Sequence, residues 1–584
     1  MFARCRAGVL LILFCNTLDV FGQTGAARSS GIDGIALVQS LAPDPLQYLD
    51  LEKNAQSLSD EGRFGEAEPL AQRLVHDYPV DGRNWLLFGR VERKLGKFNA
   101  AATAYGKAIE LLGPDVPGKA EYWQAVSQAG AGQTSSALDT LAQLVARNHY
   151  GHRPSLYDDE AFKPLRGEPR FSEIVGRHAS QQWSRDEGWT RDLDYLVAEV
   201  VRVNPDYHDR PMPSGLEQRY KELHDAIPRL SDEQVYVGMS RMLASLNQGH
   251  TNLWPFIPAA RMDFKAMPLQ LYVFPEGIFV VGADSRNTDL IGAELRTIED
   301  TPALDVLRKV RDIHASDSGM EVLWLGPTLL ALAQELKGLG IVPRTDRIKV
   351  GLRLPSGVMV KRTLTTGALG KNSKLHAAPR HAAAFAFANV DKAHWIAAHP
   401  EARALYVQVN QIADDSDETL EEFGLRLRNT LKDDQFRNVV LDLRHNNGGN
   451  TFLYVELLRT LIGFSQQSGR TVYVIIGRGV YSAAANLVMD LERLAAPVFV
   501  GEPTSMTGNN YGDESELVLP YSGIWAGVTS VKWQLGYPYD QRRTIVPSIP
   551  VTLTAADYFA GRDPAWETIK AICIRAQDNR DDIR

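Results

Sequence analysis

Two strand-ending loops in the C-terminal third of the chain carry residues that could do chemistry. Residues 438–449 read NVVLDLRHNNGG, an apolar strand that breaks into an Asn/Gly-rich loop. Residues 471–487 read TVYVIIGRGVYSAAANL, a second apolar strand that restarts as an alanine-rich helix at Ser482. A serine at such a joint lies where free backbone N–H groups and the positive end of the helix dipole can stabilise a developing oxyanion. This arrangement is typical of a serine hydrolase.

The sequence also offers donors for an oxyanion and a base for the serine. Glycines allow backbone N–H groups to approach a substrate closely, so the predicted oxyanion hole combines the N–H of Ala483 with that of Gly448 or Gly449. Far upstream, a Gly-His-Thr sequence offers His250 as the general base. The alternatives are structural: Ser482 could be a helix N-cap, and His250 could be a hydrogen-bonding residue at a helix end.

From about residue 395 onward, strands and helices alternate in a pattern that places both loops at one edge. The predicted strands are 404–409, 438–443, 472–476 and 498–500, and the predicted helices lie near 420–431, 452–462 and 482–494. Alternating units of this length predict a largely parallel sheet with crossover helices. In such sheets the functional loops lie beyond the carboxyl ends of the strands.

Three other parts precede this core. Gly62-Arg-Phe recurs after 34 residues as Gly96-Lys-Phe and more loosely at Gly132, a period that resembles tetratricopeptide repeats. The sequence therefore predicts a helical repeat domain over 43–178, which could bind a protein partner; a generic helical bundle is the alternative. A helical segment over 181–260 and a small mixed α/β module over 265–370, with a PDZ-like strand and turn, follow before the core at 395–575.

Composition and the N-terminal residues exclude several classes of function. A net charge of −8 and a pI near 6.0 argue against a nucleic-acid partner. There is no His-Glu-x-x-His sequence, no paired cysteine ligands and no Walker-type glycine loop, so no metal or cofactor is expected. Residues 1–22 have two arginines before a short apolar run, which predicts a signal peptide, secretion or periplasmic location, and no stable membrane span after its removal.

Four motifs resemble those of the tail-specific and tricorn-type serine peptidases. They are LDLRHNNGG at 441–449, YSAAA at 481–485, GEPT at 501–504 and NQGHT at 247–251. The resemblance covers roughly residues 181–570. It implies a multidomain α + α/β protein with a crotonase-like peptidase core, Ser482 as the nucleophile, and a peptide or protein substrate.

The resemblance also distinguishes two ways of activating the serine. One type of relative uses a lysine, but that position falls at Thr507 and no lysine occurs between Lys432 and Lys532. The tricorn-like type uses a histidine, and His250 matches it. We therefore expect a Ser–His mechanism, in which a neutral imidazole takes the proton of Ser482 and returns it to the leaving amine.

An acidic residue should orient the histidine. In the tricorn-like relatives it precedes the closing Pro-containing strand, where Asp540 is the nearest match and Gln541 could be the aligned residue. Asp513 and Glu514 are alternatives, and His445 is a second possible base. The resulting prediction is an exported, cofactor-independent serine peptidase. The rival prediction is a catalytically weak or inactive peptide-binding or scaffolding protein that keeps the peptidase fold.

Overall fold

A computed structural model of the chain describes residues 45–581, apart from 114–119, 147–152, 176–182, 209, 257–258, 260, 369–374, 378–384 and 388. The predicted signal peptide lies outside the described residues. Contacts within the chain divide it into two compact units, Met1–Ala120 and Glu121–Arg584. The division falls inside the region for which the sequence predicts one repeat domain.

The described part of the first unit consists of helices joined by short turns. They are α1 (Pro45–Asp60), α2 (Phe64–Asp77), α3 (Gly82–Lys94) and α4 (Phe98–Leu112). Gly62 and Gly96 occupy the α1–α2 and α3–α4 turns with φ of +76° and +74°, a left-handed conformation that glycine adopts without steric cost. The 34-residue period of the sequence therefore marks one recurring helix–turn–helix.

The second unit begins with helices and continues into a mixed module. The helices are α5 (Ala120–Gly130), α6 (Thr134–Ala146), α7 (Arg153–Asp158), α8 (Pro169–Ile174), α9 (Arg185–Val203), α10 (Ser214–Ala226) and α11 (Asp232–Ala244). The following elements are β1 (Asn252–Trp254), β2 (Lys265–Ala266), β3 (Leu269–Phe274), β4 (Gly277–Ala283), β5 (Glu294–Ile298), β6 (Thr301–Pro302), α12 (Ala303–Arg311), α13 (Glu321–Trp324), α14 (Gly326–Leu329), α15 (Ala333–Gly338), β7 (Arg347–Arg353), β8 (Met359–Thr365), β9 (Gly367–Ala368) and β10 (His376–Ala377). An antiparallel sheet of β3–β8 and β10 forms the predicted mixed module. Its likeness to a PDZ domain stays a prediction.

The remaining elements form the core that carries both loops. They are β11 (His394–His399), β12 (Ala404–Val409), α16 (Leu420–Thr430), β13 (Asn438–Asp442), α17 (Val455–Ser465), β14 (Thr471–Ile476), α18 (Ser482–Leu494), β15 (Val498–Gly501), β16 (Asn509–Val518), β17 (Trp525–Gln534), β18 (Ile549–Pro550), α19 (Ala555–Ala560) and α20 (Pro564–Asp581).

A six-stranded sheet in the order β11-β12-β13-β14-β15-β18 is the centre of this core. The pairs from β12 to β18 are parallel and only β11 is antiparallel to its neighbour. Apolar side chains of α16, α17 and α18 pack on one face of the sheet, and those of α20 pack on the other. Because β13 and β14 are buried on both faces, they are nearly continuous apolar runs, which made them readable in the sequence.

A long antiparallel ribbon of β16 and β17 brings a distant segment to the core. Strand β1 pairs with β17, with Asn252 opposite Gly527, and Thr251 Oγ1 accepts a hydrogen bond of 3.0 Å from the N–H of Thr529. Apolar residues of α9, α10 and α11 pack against the same ribbon. The ribbon thereby fixes the position of the short segment between α11 and β1, which contains His250.

Within the described ranges, no helix combines the length and the apolar character needed to cross a membrane. The same residues contain no group of three or more His, Cys, Asp or Glu side chains that could hold a metal ion.

Candidate active site

The two predicted loops meet beside Ser482. They follow β13 and β14, which are neighbouring parallel strands with Asp442 opposite Ile475. A Cβ atom built on Gly448 would lie 2.6 Å from the Cβ of Ser482 and 3.0 Å from the backbone nitrogen of Ala483. The glycine loop therefore lies directly against the predicted nucleophile and the N–H of Ala483 in the first turn of helix α18.

A buried ion cluster and a buried amide hold the glycine loop in place. Arg444 pairs with Asp442 and Asp563, each at 2.8 Å. Burial opposes ionisation of this cluster, but the two carboxylates keep the pKa of Arg444 well above its ordinary value. Asn446 donates from Nδ2 to the carbonyl of Val409 at 3.0 Å, which ties the loop to the end of β12.

Asn446 also decides which loop N–H groups are available. Its Oδ1 accepts a hydrogen bond of 2.9 Å from the N–H of Gly448, so that donor is engaged. The N–H groups of Gly449 and Ala483 have no backbone or side-chain acceptor among the residues that the structure describes. Of the two glycines that the sequence offered, Gly449 is therefore the one with a free donor beside Ala483.

Ser482 has an unusual backbone conformation. Its φ is +47°, in the left-handed region that non-glycine residues rarely occupy. Its Oγ makes no hydrogen bond to any described residue, and the N–H groups of Ala484 and Ala485 donate to the carbonyl of Tyr481 instead. The side chain is therefore not capping the helix. A strained serine between a strand and a helix, with its Oγ unbonded, has the geometry of a nucleophile elbow.

His250 lies against the residue that precedes Ser482. Its ring stacks on that of Tyr481, with centroids 4.8 Å apart and planes inclined by 21°, and its Nδ1 is 3.2 Å from Tyr481 Oη. Burial lowers the pKa of His250 to about 4, and the backbone of Tyr511 opposes this only partly. The imidazole is therefore neutral at pH 7, as a general base must be. No hydrogen bond joins His250 to Ser482 in the described part of the chain.

The acidic residues considered from the sequence have other partners. Asp540 pairs with Arg542 at 2.7 Å, which lowers the pKa of this carboxyl. Asp513 accepts a hydrogen bond of 2.8 Å from Trp533 Nε1. Burial and the charge of a neighbouring glutamate raise the pKa of Glu514 to about 7. None of these three hydrogen-bonds to His250 within the described residues.

Other residues considered from the sequence are also placed. Gln541 lines a cavity of about 350 Å³ together with Asp540, Asn247 and Thr507. The hydroxyl of Thr507, where lysine-type relatives have their base, donates to two backbone carbonyls at 3.2 Å. Burial lowers the pKa of His445, whose Nε2 has no partner among the described residues.

Sequence reasoning missed Tyr481 and Asp317. Tyr481 Oη donates to Asp317 Oδ2 at 3.1 Å, and the N–H of Gly249 donates to the same oxygen at 3.1 Å. Burial and the charge of Glu321 raise the pKa of Asp317 to about 8. Asp317 lies in a loop between α12 and α13 that carries no recognisable motif, so no sequence signal pointed to it.

Among curated proteins the chain has a partial match. It is 28% identical over 126 residues to the cytochrome c-type biogenesis protein CycH of Rhizobium meliloti (strain 1021), which is 21% of this chain and 32% of that protein. The chain thus spans about a third of the length of that relative. No protein-family model matches the chain.

Several solved structures are similar to this one at low identity. Mature CPAF complexed with lactacystin is 12% identical and covers 67% of this chain and 98% of its own, with a TM-score of 0.49. The photosystem II D1 C-terminal processing protease is 16% identical over 65% of this chain and 98% of its own, with a TM-score of 0.32. The tricorn protease is 12% identical over 68% of this chain and 37% of its own, with a TM-score of 0.35.

At these identities and scores the likeness assigns no activity. Tail-specific and tricorn-type proteases are nevertheless among the solved structures that this chain resembles, and they are the family that its motifs indicated.

Proposed function

We propose that the chain is a serine peptidase in which Ser482 is the nucleophile and His250 the general base. The observation that carries the proposal is the left-handed φ of +47° at Ser482, combined with an Oγ that bonds to no described residue. Such strain persists only where the surrounding structure enforces it, and it is concentrated at functional sites. The four motifs of the sequence support the same assignment.

The reaction follows from these positions. Neutral His250 takes the proton of Ser482 as Oγ bonds to the carbonyl carbon of a peptide. The N–H groups of Ala483 and Gly449 donate to the oxygen as it gains negative charge. The C–N bond then breaks, the leaving amine receives the proton from His250, and water hydrolyses the acyl-enzyme by the same steps in reverse order.

A second candidate function is peptide binding without efficient catalysis. The observation that favours it is the missing hydrogen bond between Ser482 and His250 in the described part of the chain. In ligand-free enzymes catalytic hydrogen bonds are often long and tighten only around the substrate, so this geometry does not exclude catalysis.

A fluorophosphonate probe separates the two candidates, because it reacts only with an activated serine. We expect the full chain to be labelled, Ser482→Ala to abolish labelling, and His250→Gln to slow it by about 10²- to 10⁴-fold. Ser465→Ala is the matched control, since the Ser465 hydroxyl donates to a carbonyl within the same domain at the end of α17. Labelling that survives Ser482→Ala would remove the nucleophile. Peptide binding without any labelling would support the second candidate.

Export and the role of the repeat belong to the same proposal. The arginines and short apolar run within residues 1–22 support secretion or periplasmic location, with a peptide or protein substrate there. N-terminal sequencing of the expressed protein tests this: we expect the mature chain to begin after about residue 22. A mature protein that still begins at Met1 would contradict export. The helical repeat is a candidate docking surface for a protein partner.

A further inference from the structure

We propose that Asp317 and Tyr481 are the residues that position His250: Asp317 accepts a hydrogen bond from the hydroxyl of Tyr481, and Tyr481 Oη accepts a hydrogen bond from Nδ1–H of His250. This inference deepens the proposed function and rests on it. It replaces a direct histidine–carboxylate contact by one that passes through a tyrosine hydroxyl.

The contacts form one continuous chain. The distance from Asp317 Oδ2 to Tyr481 Oη is 3.1 Å, and that from Tyr481 Oη to His250 Nδ1 is 3.2 Å. Ring contacts keep the tyrosine in place, because His250 stacks on one side and the Trp324 ring lies with its centroid 5.6 Å away. Tyr481 is buried and Asp317 is half-buried, so water competes little for the tyrosine hydroxyl that joins the other two groups.

Gly249 packs closely against the hydrogen-bonded groups of Tyr481 and Asp317. A Cβ atom at this position would lie 2.1 Å from Tyr481 Oη and 2.4 Å from Asp317 Oδ2. Only glycine allows both oxygens to approach the backbone here, and the N–H of Gly249 donates to Asp317 Oδ2. The residue before the predicted base is therefore part of its support.

The direction in which the Tyr481 hydroxyl donates its hydrogen bond determines the tautomer of His250. Tyr481 has a single hydroxyl proton. When Asp317 accepts that proton, Tyr481 Oη can only accept from His250, which favours the Nδ1–H tautomer and leaves the lone pair that a base needs on Nε2. The backbone of Tyr511 also hydrogen-bonds to the imidazole.

Several charged groups face this chain. The N–H of Asp317 donates to Glu321 Oε1 at 2.8 Å, and Glu514 adds a second negative charge near Tyr481. Arg543 supplies positive charge, with its Nη1 3.5 Å from the carbonyl oxygen of Asp317. Burial and Glu321 together raise the pKa of Asp317 to about 8.

The tautomer of His250 is a direct readout that needs no reaction at Ser482. We would label the full chain with ¹⁵N-histidine, assign His250 by its loss in His250→Gln, and determine at pH 9 which ring nitrogen carries the proton. We expect Nδ1–H in the unsubstituted protein. Asp317→Leu removes the acceptor of the tyrosine proton, so His250 should change to Nε2–H and labelling should fall by about 10²- to 10⁴-fold, the range for a wrongly oriented base.

Asp317→Asn is the conservative variant and gives a different result. The N–H of Gly249 requires an acceptor at the position of Oδ2, so the amide oxygen should occupy it and still accept from Tyr481. The Nδ1–H tautomer should then be retained, and labelling should stay close to that of the unsubstituted protein. Unfolding transitions of each variant show whether it is folded.

Asp540→Asn is the matched control, since this residue is the acidic partner that the sequence suggested. It should leave the tautomer unchanged. The inference is overturned if Asp317→Leu retains Nδ1–H, or if Asp540→Asn alone shifts the proton. The tautomer also separates the two proposals. If Asp317→Leu changes the tautomer of His250 but the protein is never labelled, the positioning role is supported and the peptidase is rejected. If the protein is labelled but Asp317→Leu leaves the tautomer unchanged, the peptidase is supported and the positioning role is rejected.

Discussion

Replacing Gly448 by alanine is the most direct test of the geometry around Ser482. Gly448 has a φ of +117°, and an added Cβ would lie 2.6 Å from the Cβ of Ser482 and 3.0 Å from the nitrogen of Ala483. The added methyl group would therefore occupy the space between the glycine loop and the N–H of Ala483 in the first turn of α18. This space is where we place the oxyanion of the reaction.

The size of the effect follows from two terms. A non-glycine residue in a sparsely populated backbone region costs about 1–3 kcal/mol. Carbon atoms in contact prefer a separation of roughly 3.5–4.0 Å, so the loop must move by about 1 Å to accept the methyl group. A displacement of that size costs about 10²-fold in rate, and loss of an oxyanion donor about 10²- to 10³-fold. We expect labelling to slow by about 10²- to 10³-fold and the free energy of unfolding to fall by about 1–3 kcal/mol.

Fluorophosphonate labelling kinetics and urea unfolding measure the two effects separately. Gly477→Ala is the matched control at the same sheet edge, because its Cβ would meet only the Cβ of Arg444, at an ordinary 3.6 Å. That variant should be labelled at the unsubstituted rate. If Gly448→Ala were also labelled at that rate, the oxyanion could not lie between Gly448 and α18, and the proposed site would be wrong.

Three further results are expected. The pKa of His250 is about 4 in the folded protein and 6.5 for an unperturbed histidine, so the unfolded chain binds the proton first as the pH falls, and this residue should lower the free energy of unfolding by about 3 kcal/mol between pH 6.5 and 4. In urea unfolding, His250→Gln should lack this pH-dependent loss of stability. An identical pH dependence in both proteins would contradict the prediction. Arg444→Leu leaves the buried carboxylates of Asp442 and Asp563 without their cation and should lower the free energy of unfolding by about 3–5 kcal/mol, whereas a negligible change would show that the cluster contributes no stability. Ser482→Gly should be more stable than Ser482→Ala by about 1 kcal/mol in thermal unfolding, since glycine tolerates a φ of +47°; a less stable glycine variant would argue against strain at this position.

The parallel sheet was readable from the sequence because its strands are buried on both faces. The prediction of strands at 438–443 and 472–476 agrees with β13 (Asn438–Asp442) and β14 (Thr471–Ile476) to about one residue at each end. The β16–β17 ribbon was not predicted. Strand β16 reads NNYGDESELV, and its buried positions include Asn510 and Ser515, so burial alternates along the strand while hydrophobicity does not.

Only part of the candidate site, likewise, could be predicted from the sequence. Ser482 and the glycine loop belong to short local motifs, and the parallel sheet brings such loops to one edge regardless of what else the chain contains. The hydrogen bond between Tyr481 and Asp317 joins residues 164 positions apart and depends on packing of the mixed module against the core. No periodicity or spacing encodes that contact. The assignment of Asp540 relied on alignment to relatives, and it stays a prediction.

Tyr481 and Ser482 are consecutive, which has a consequence for how activity could be controlled. One peptide bond fixes the Cα atoms of the two residues about 3.8 Å apart, so any rigid displacement of α18 carries the nucleophile and the support of the base together. His250 instead arrives on the separate segment between α11 and β1. In the proposed peptidase, a displacement of that segment relative to α18 by about 1 Å would therefore lower the rate by about 10²-fold while leaving the N–H groups of Ala483 and Gly449 in place.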